Sequence, residues 1–81
     1  MTFIATFFSH FGSVRFKKLC DGRRWRARVM PVPRDLSSSC GTCVRYEREE
    51  ELLPDPVPEE VEQIVRITAE GYRSLYRAEN S

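Results

Sequence analysis

Pro58-Glu59-Glu60-Val61-Glu62-Gln63-Ile64-Val65-Arg66-Ile67-Thr68-Ala69-Glu70-Gly71 is the stretch on which the fold turns. Val61, Ile64, Val65 and Thr68 recur at helical spacing and Glu59, Glu60, Glu62, Gln63 and Arg66 fill the remaining positions, so the pattern predicts an amphipathic helix. Pro58 suits its first turn, Glu59 and Glu60 suit the positive end of its dipole, and Gly71 stops it. Beyond Gly71, Tyr72-Arg73-Ser74-Leu75-Tyr76 reads as a closing strand, with a helix continued through Tyr76 as the alternative. Upstream, Pro54, Pro56 and Pro58 make a stiff linker after the charged run Glu47 to Glu51 and Leu52-Leu53.

Toward the N-terminus, Thr2-Phe3-Ile4-Ala5-Thr6-Phe7-Phe8 is aromatic, β-branched and apolar on both faces, which predicts a central strand. Ser9 can cap a helix over residues 10 to 21, where Ser13, Phe16, Leu19 and Cys20 share a face, and Gly22 is the candidate for the left-handed position that ends it. Trp25, Ala27 and Val29 alternate with Arg24, Arg26 and Arg28, a strand with one buried side, and Pro31 and Pro33 stop it. Cys43-Val44-Arg45-Tyr46 resumes β character. Strand, helix, strand, strand, helix, strand is the order of a split βαβ sandwich. The expected fold is therefore α+β, ferredoxin-like βαββαβ, one sheet with two helices on one face.

The chain of 81 residues, 41% hydrophobic and 31% charged, is sized for a single domain spanning 1–81 and has the balance of a globular protein. No apolar run approaches the roughly 20 residues that cross a bilayer, and the Phe3 to Phe8 run lacks the flanks of a secretory signal. Three cysteines without a framework spacing argue for reduced thiols, and the expected location is cytoplasmic. Residues 1 to 45 hold nine Lys/Arg against two Asp/Glu, a charge of +7, and residues 46 to 81 hold four against ten, a charge of −6. That asymmetry reads as internal complementarity and solvated faces. Arg23-Arg24-Trp25-Arg26-Ala27-Arg28 has one aromatic among its cations, too few for a nucleic-acid surface, although Arg24, Arg26 and Arg28 could recruit an acidic partner.

Reactive and small residues coincide in Ser37-Ser38-Ser39-Cys40-Gly41-Thr42-Cys43. Two prolines stiffen the approach and Arg34 brings positive charge, a setting that favours thiolate over thiol at Cys40. The Cys-x-x-Cys admits several readings. A dithiol redox pair normally stands where a strand feeds a helix, and here Cys43 opens a strand. Zinc wants four ligands, which Cys20 and His10 complete only if the first helix turns them toward the loop. A sulfur- or selenium-accepting thiolate would use Cys40 as nucleophile, Ser37, Ser38, Ser39 and the Gly41 backbone as donors to the charged adduct, Arg34 as the steadying cation and Cys43 as a resolving thiol. Plain strand-end packing of both cysteines, inside a protein-interaction module, remains open beside these. His10 with a clustered serine makes no triad by spacing, no phosphate-binding glycine loop is present, and the carboxylates crowd into solvated faces.

Met30-Pro31-Val32-Pro33-Arg34-Asp35-Leu36-Ser37-Ser38-Ser39-Cys40-Gly41 resembles the signature of a small bacterial and archaeal family of selenium/sulfur carrier-like proteins. There an aliphatic residue, Pro-x-Pro-Arg, an acidic residue and Leu-Ser-Ser-Ser-Cys-Gly stand between the second and third strands. The resemblance implies a compact α/β domain and a carrier role for the cysteine matching Cys40, while Cys43 stands where relatives often have an aliphatic or small residue. The expectation is a non-enzymatic carrier without cofactor or metal. Its partners would be sulfur or selenium donor and acceptor proteins, not nucleic acid or membrane, with a homodimer through the outer strand as a further expectation.

Overall fold

The computed structural model describes residues 1–79 and contains five strands and one helix: β1 (Thr2–Phe7), α1 (His10–Gly22), β2 (Ala27–Pro31), β3 (Thr42–Glu47), β4 (Val61–Thr68) and β5 (Gly71–Arg77). The strands form one sheet in the order β2-β3-β1-β4-β5, and every neighbouring pair is antiparallel. The expected βαββαβ sandwich with two helices is overturned, because the stretch from Val61 to Thr68 is a strand.

The reason lies in how β4 is buried. It lies second from one edge of a sheet covered on both faces, so Ile64 and Val65 point to opposite sides and are both buried. Between Phe7↔Val61 and Thr6↔Gln63, Glu62 is an extra residue on the β4 side, a bulge that breaks the alternation. Two-sided burial plus one inserted residue puts buried apolar side chains at 61, 64 and 65, and Thr68 three positions on completes the spacing of a helix. The β-branched content of Val61, Ile64, Val65, Ile67 and Thr68 pointed the other way.

Other expectations hold. β1 is the central strand, with Phe3, Ala5 and Phe7 facing α1 and Ile4 and Thr6 facing away, all of them buried. Ser9 caps α1, its hydroxyl accepting from the Gly12 N–H. The closing segment is a strand, β5, reached through a turn in which Gly71 takes φ +121°.

Two details differ. Gly22 stays helical and Arg24 takes the left-handed position at φ 62°, where its N–H donates to the Asp21 carbonyl and the Trp25 N–H to the Cys20 carbonyl. β2 includes Pro31, which an outer strand tolerates where the missing N–H faces away from the ladder. Its expected buried side is also incomplete, since Val29 is 39% exposed at the sheet's edge.

On the α1 side the core is aromatic. Tyr46 stacks between Phe3 at 5.2 Å and Trp25 at 5.8 Å between centroids, and Phe16 of α1 meets Tyr46 edge-on at 5.3 Å and Phe7 at 5.4 Å. Each such pair adds about 0.5–1.5 kcal/mol beyond the area it buries. On the opposite face Ile4, Cys43 and Val65 are buried, with Met30, Val32, Leu36, Ile67 and Tyr72 packed on them. Val32 and Leu36 belong to the β2–β3 connection, so the loop of residues 32–41 is itself the covering of the second face.

Candidate functional site

The loop closes on itself and is then pinned to β4 and β5. Its ends meet through the Val32 N–H and the Gly41 carbonyl at 3.0 Å, continuing the β2–β3 ladder. Pro33 opens a turn in which the Leu36 N–H donates to the Pro33 carbonyl, leaving Arg34 and Asp35 exposed at the tip. The Asp35 carboxylate accepts from the Tyr72 hydroxyl at 2.7 Å, and this hydrogen bond raises the Tyr72 pKa. Leu36 inserts toward the second core, and the Ser37 carbonyl accepts from the Gln63 side chain.

The centre of the arrangement is Glu62. Its carboxylate accepts from the hydroxyls of Thr6 (3.0 Å), Ser38 (3.1 Å) and Ser39, and from the Ser39 N–H (3.1 Å). Partial burial works to raise its pKa, but the Ser39 hydroxyl and N–H, then Thr6 and Ser38, outweigh burial and lower it. The β4 bulge makes this possible. Regular alternation would send one of Glu62 and Gln63 to the α1 side, whereas the extra residue lets both consecutive side chains reach the same loop. A cleft of about 270 Å³ lies here, bounded by Ser37 to Ser39, Glu62, Gln63 and Arg77.

Cys40 follows directly. Its N–H donates to the Ser38 hydroxyl at 3.2 Å, a local turn that links the cysteine's backbone to the group held by Glu62. It is half-buried, whereas Cys20 and Cys43 are buried, and all three thiols are free. Cys43 points into the second core, its thiol toward the Pro31 carbonyl at 3.7 Å, and burial pushes its pKa up to about 11. Cys20 lies in the other core, across the sheet, where burial and then the neighbouring Asp21 push its thiol up to about 12. His10 meets the Thr42 hydroxyl at 3.2 Å, two residues beyond Cys40. Among the described residues no three His, Cys, Asp or Glu side chains gather as metal ligands.

The sequence-predicted residues are therefore in one loop but divide by role. Ser38 and Ser39 direct their hydroxyls to Glu62, the Ser37 carbonyl faces Gln63, Gly41 closes the loop, and Arg34 stands at the exposed tip. Glu62, Gln63, Thr6 and Arg77 were not anticipated. Reading residues 59 to 70 as a helix put Glu62 and Gln63 on a solvated face, and only a strand reading could have aimed them at the loop.

The fold and the loop together make a two-faced antiparallel sheet that presents one cysteine on a polar-pinned loop. The chain belongs to the family described as "Putative Se/S carrier protein-like", whose family model matches residues 2–54, that is β1, α1, β2, the cysteine loop, β3 and the start of the following linker. The β4–β5 hairpin that supplies Glu62 lies beyond the matched residues. No curated protein and no solved structure matches the chain. Among the described residues no helix is long and apolar enough to cross a membrane.

Proposed function

We propose that the chain carries sulfur or selenium on Cys40. One observation above the others supports this reading: of three cysteines, Cys40 alone stands outside the cores, in the loop that gives the family its resemblance. In the sulfur case the Cys40 thiolate attacks the outer sulfur of a persulfide on a donor protein. A new S–S bond forms as the donor's S–S bond breaks, the donor cysteine leaves as thiolate, and there is no net oxidation. Ser38 and Ser39 hold the loop in shape through Glu62, Gly41 closes it, and Arg34 presents positive charge at the tip to an incoming anionic adduct. Cys43 is read as packing, because a buried thiol whose pKa is raised is a poor resolving group.

The test is mass spectrometry of the intact protein after incubation with a cysteine desulfurase and cysteine. Wild type and Cys43→Ala should each gain one sulfur atom and Cys40→Ala none. No gain on wild type, or an equal gain on Cys40→Ala, overturns the proposal.

A further inference from the structure

The basic half of the chain is not neutralised by the acidic half. Among the described residues the ion pairs are Arg15–Glu60, Lys17–Asp21, and Arg66 and Arg73 with Glu51, so one pair joins the two halves. Glu62 is engaged by hydroxyls instead.

Unpaired guanidinium groups collect on one part of the sheet. β2 pairs with β3 so that Arg28 stands directly opposite Arg45 and Met30 opposite Cys43, and the Glu47 N–H donates to the Arg26 carbonyl one rung further on. Alternation puts Arg26, Arg28 and Arg45 on the face that carries Cys43, which is the face the cysteine loop covers. All three are exposed, and a shallow depression of about 250 Å³ lies among them, with Glu47 the single carboxylate at its margin.

Like charges directly opposite in a sheet destabilise it. Guarding an outer strand against edge-to-edge pairing accounts for arginines on β2. It does not account for Arg45, which lies one strand inward. The loop begins four residues after Arg28, about 13 Å along the strand, and Cys40 stands five residues before Arg45, at most about 17 Å along the chain. A partner of ordinary interface size seated on these side chains therefore reaches Cys40. Guanidinium forks match carboxylates in pairs. The patch offers no aromatic ring on which a base could stack, since Trp25 packs on Tyr46 on the other face.

We infer that Arg26, Arg28 and Arg45 form a docking face for an acidic protein surface, that of the protein which exchanges sulfur or selenium with Cys40. This rests on the carrier reading above. The complementary charges orient the partner and speed its encounter, and the loop supplies the thiol at the edge of the contact.

The experiment uses the full chain and a fluorescein-labelled decaglutamate peptide, followed by anisotropy at low salt, with a single-stranded oligonucleotide of equal charge as the second probe. Wild type should bind the peptide, bind it more tightly than the oligonucleotide, and release it as salt is raised. Arg28→Glu should weaken peptide binding roughly tenfold or more, while its melting temperature holds or rises, because the substitution replaces a repulsive cross-strand pair with an attractive one. Arg28→Lys, which keeps the charge and loses the fork, should bind between wild type and Arg28→Glu. Equal binding by wild type and Arg28→Glu, or none by wild type, overturns the inference, as does tighter binding of the oligonucleotide. Loading of wild-type Cys40 by inorganic polysulfide, which needs no docking, is followed in parallel by mass. Failure there counts against the carrier reading, and success with unaltered peptide binding by Arg28→Glu counts against the docking face alone.

Discussion

On one side of the sheet α1 lays Phe16 and Cys20 onto Phe3, Phe7 and Tyr46; on the other, a loop lays Val32 and Leu36 over Ile4, Cys43 and Val65. The first covering is a capped helix whose Phe16 makes two aromatic contacts, with Phe7 and Tyr46, in a core where Tyr46 also stacks on Phe3 and Trp25. The second covers a smaller apolar cluster and is held by polar pins to Glu62, Gln63 and Tyr72. Apolar packing is insensitive to pH and gives way only with the whole fold. A covering held by a few hydrogen bonds can open locally at lower cost. The reactive cysteine belongs to the second covering, where a thiol can be reached without unfolding the domain.

The largest expected effect comes from breaking the helix side. Phe16→Ala removes a ring that is 2% exposed and touches both Phe7 and Tyr46, and should cost about 3–5 kcal/mol in urea unfolding. A cost below about 1 kcal/mol would show that the aromatic face does not set the stability. Close packing there is also intolerant of added bulk. A Cβ on Gly12 would come within 2.6 Å of the Glu60 Cβ and 3.3 Å of the Phe7 ring, so Gly12→Ala should cost about 1–3 kcal/mol despite alanine's better helix propensity.

Breaking the loop side should cost less and do more to Cys40. Glu62→Gln keeps an acceptor but removes the charge that gathers Thr6, Ser38 and Ser39, for an expected loss of about 1–2 kcal/mol at neutral pH. Alkylation of Cys40 by iodoacetamide should speed up several-fold, which Phe16→Ala should not reproduce in its folded fraction. The pH dependence fixes the sign. A carboxylate whose pKa is lower in the folded state contributes stability that is complete above its unfolded pKa and lost as pH falls through the folded one. The difference in melting temperature between wild type and Glu62→Gln should therefore be widest near neutrality and close on acidification below the ordinary carboxylate range. A difference that stays constant with pH would assign Glu62 a steric role.

These contrasts explain what could be read from the sequence. β1, the capped start of α1, the β2–β3 strands and the cysteine loop were legible because each rests on local chemistry: an apolar run, a serine cap, alternation, prolines and small residues. The covering of the second face was not, because a loop that serves as a layer has no periodic signature. Nor was β4, where burial on both sides and a bulge at Glu62 imitate a helical stripe, and with it went the partner that shapes the loop. The cysteines separated as their surroundings dictate. Cys20 was expected in the core from its place on the helix face; Cys40 was read as the loop thiol and Cys43 as the opening of a strand, but that the second face of the sheet buries Cys43 and leaves Cys40 half open had no local signal.

The smallest effects test where α1 hands the chain to β2. Gly22 was the natural candidate for the left-handed residue, yet it remains helical and Arg24 adopts φ 62°. A side chain in that conformation costs an L-residue about 1–2 kcal/mol, of which glycine's greater freedom in the unfolded chain cancels part. Arg24→Gly should stabilise the protein by about 0.5–1 kcal/mol, since both capping hydrogen bonds run between backbone groups and survive the change. Gly22→Ala should add a comparable increment of about 0.5–1 kcal/mol, as a Cβ there meets nothing within 4 Å. If Arg24→Gly instead destabilises, the arginine side chain must supply more than the strain of its backbone, and the helix side would owe part of its hold to charge after all.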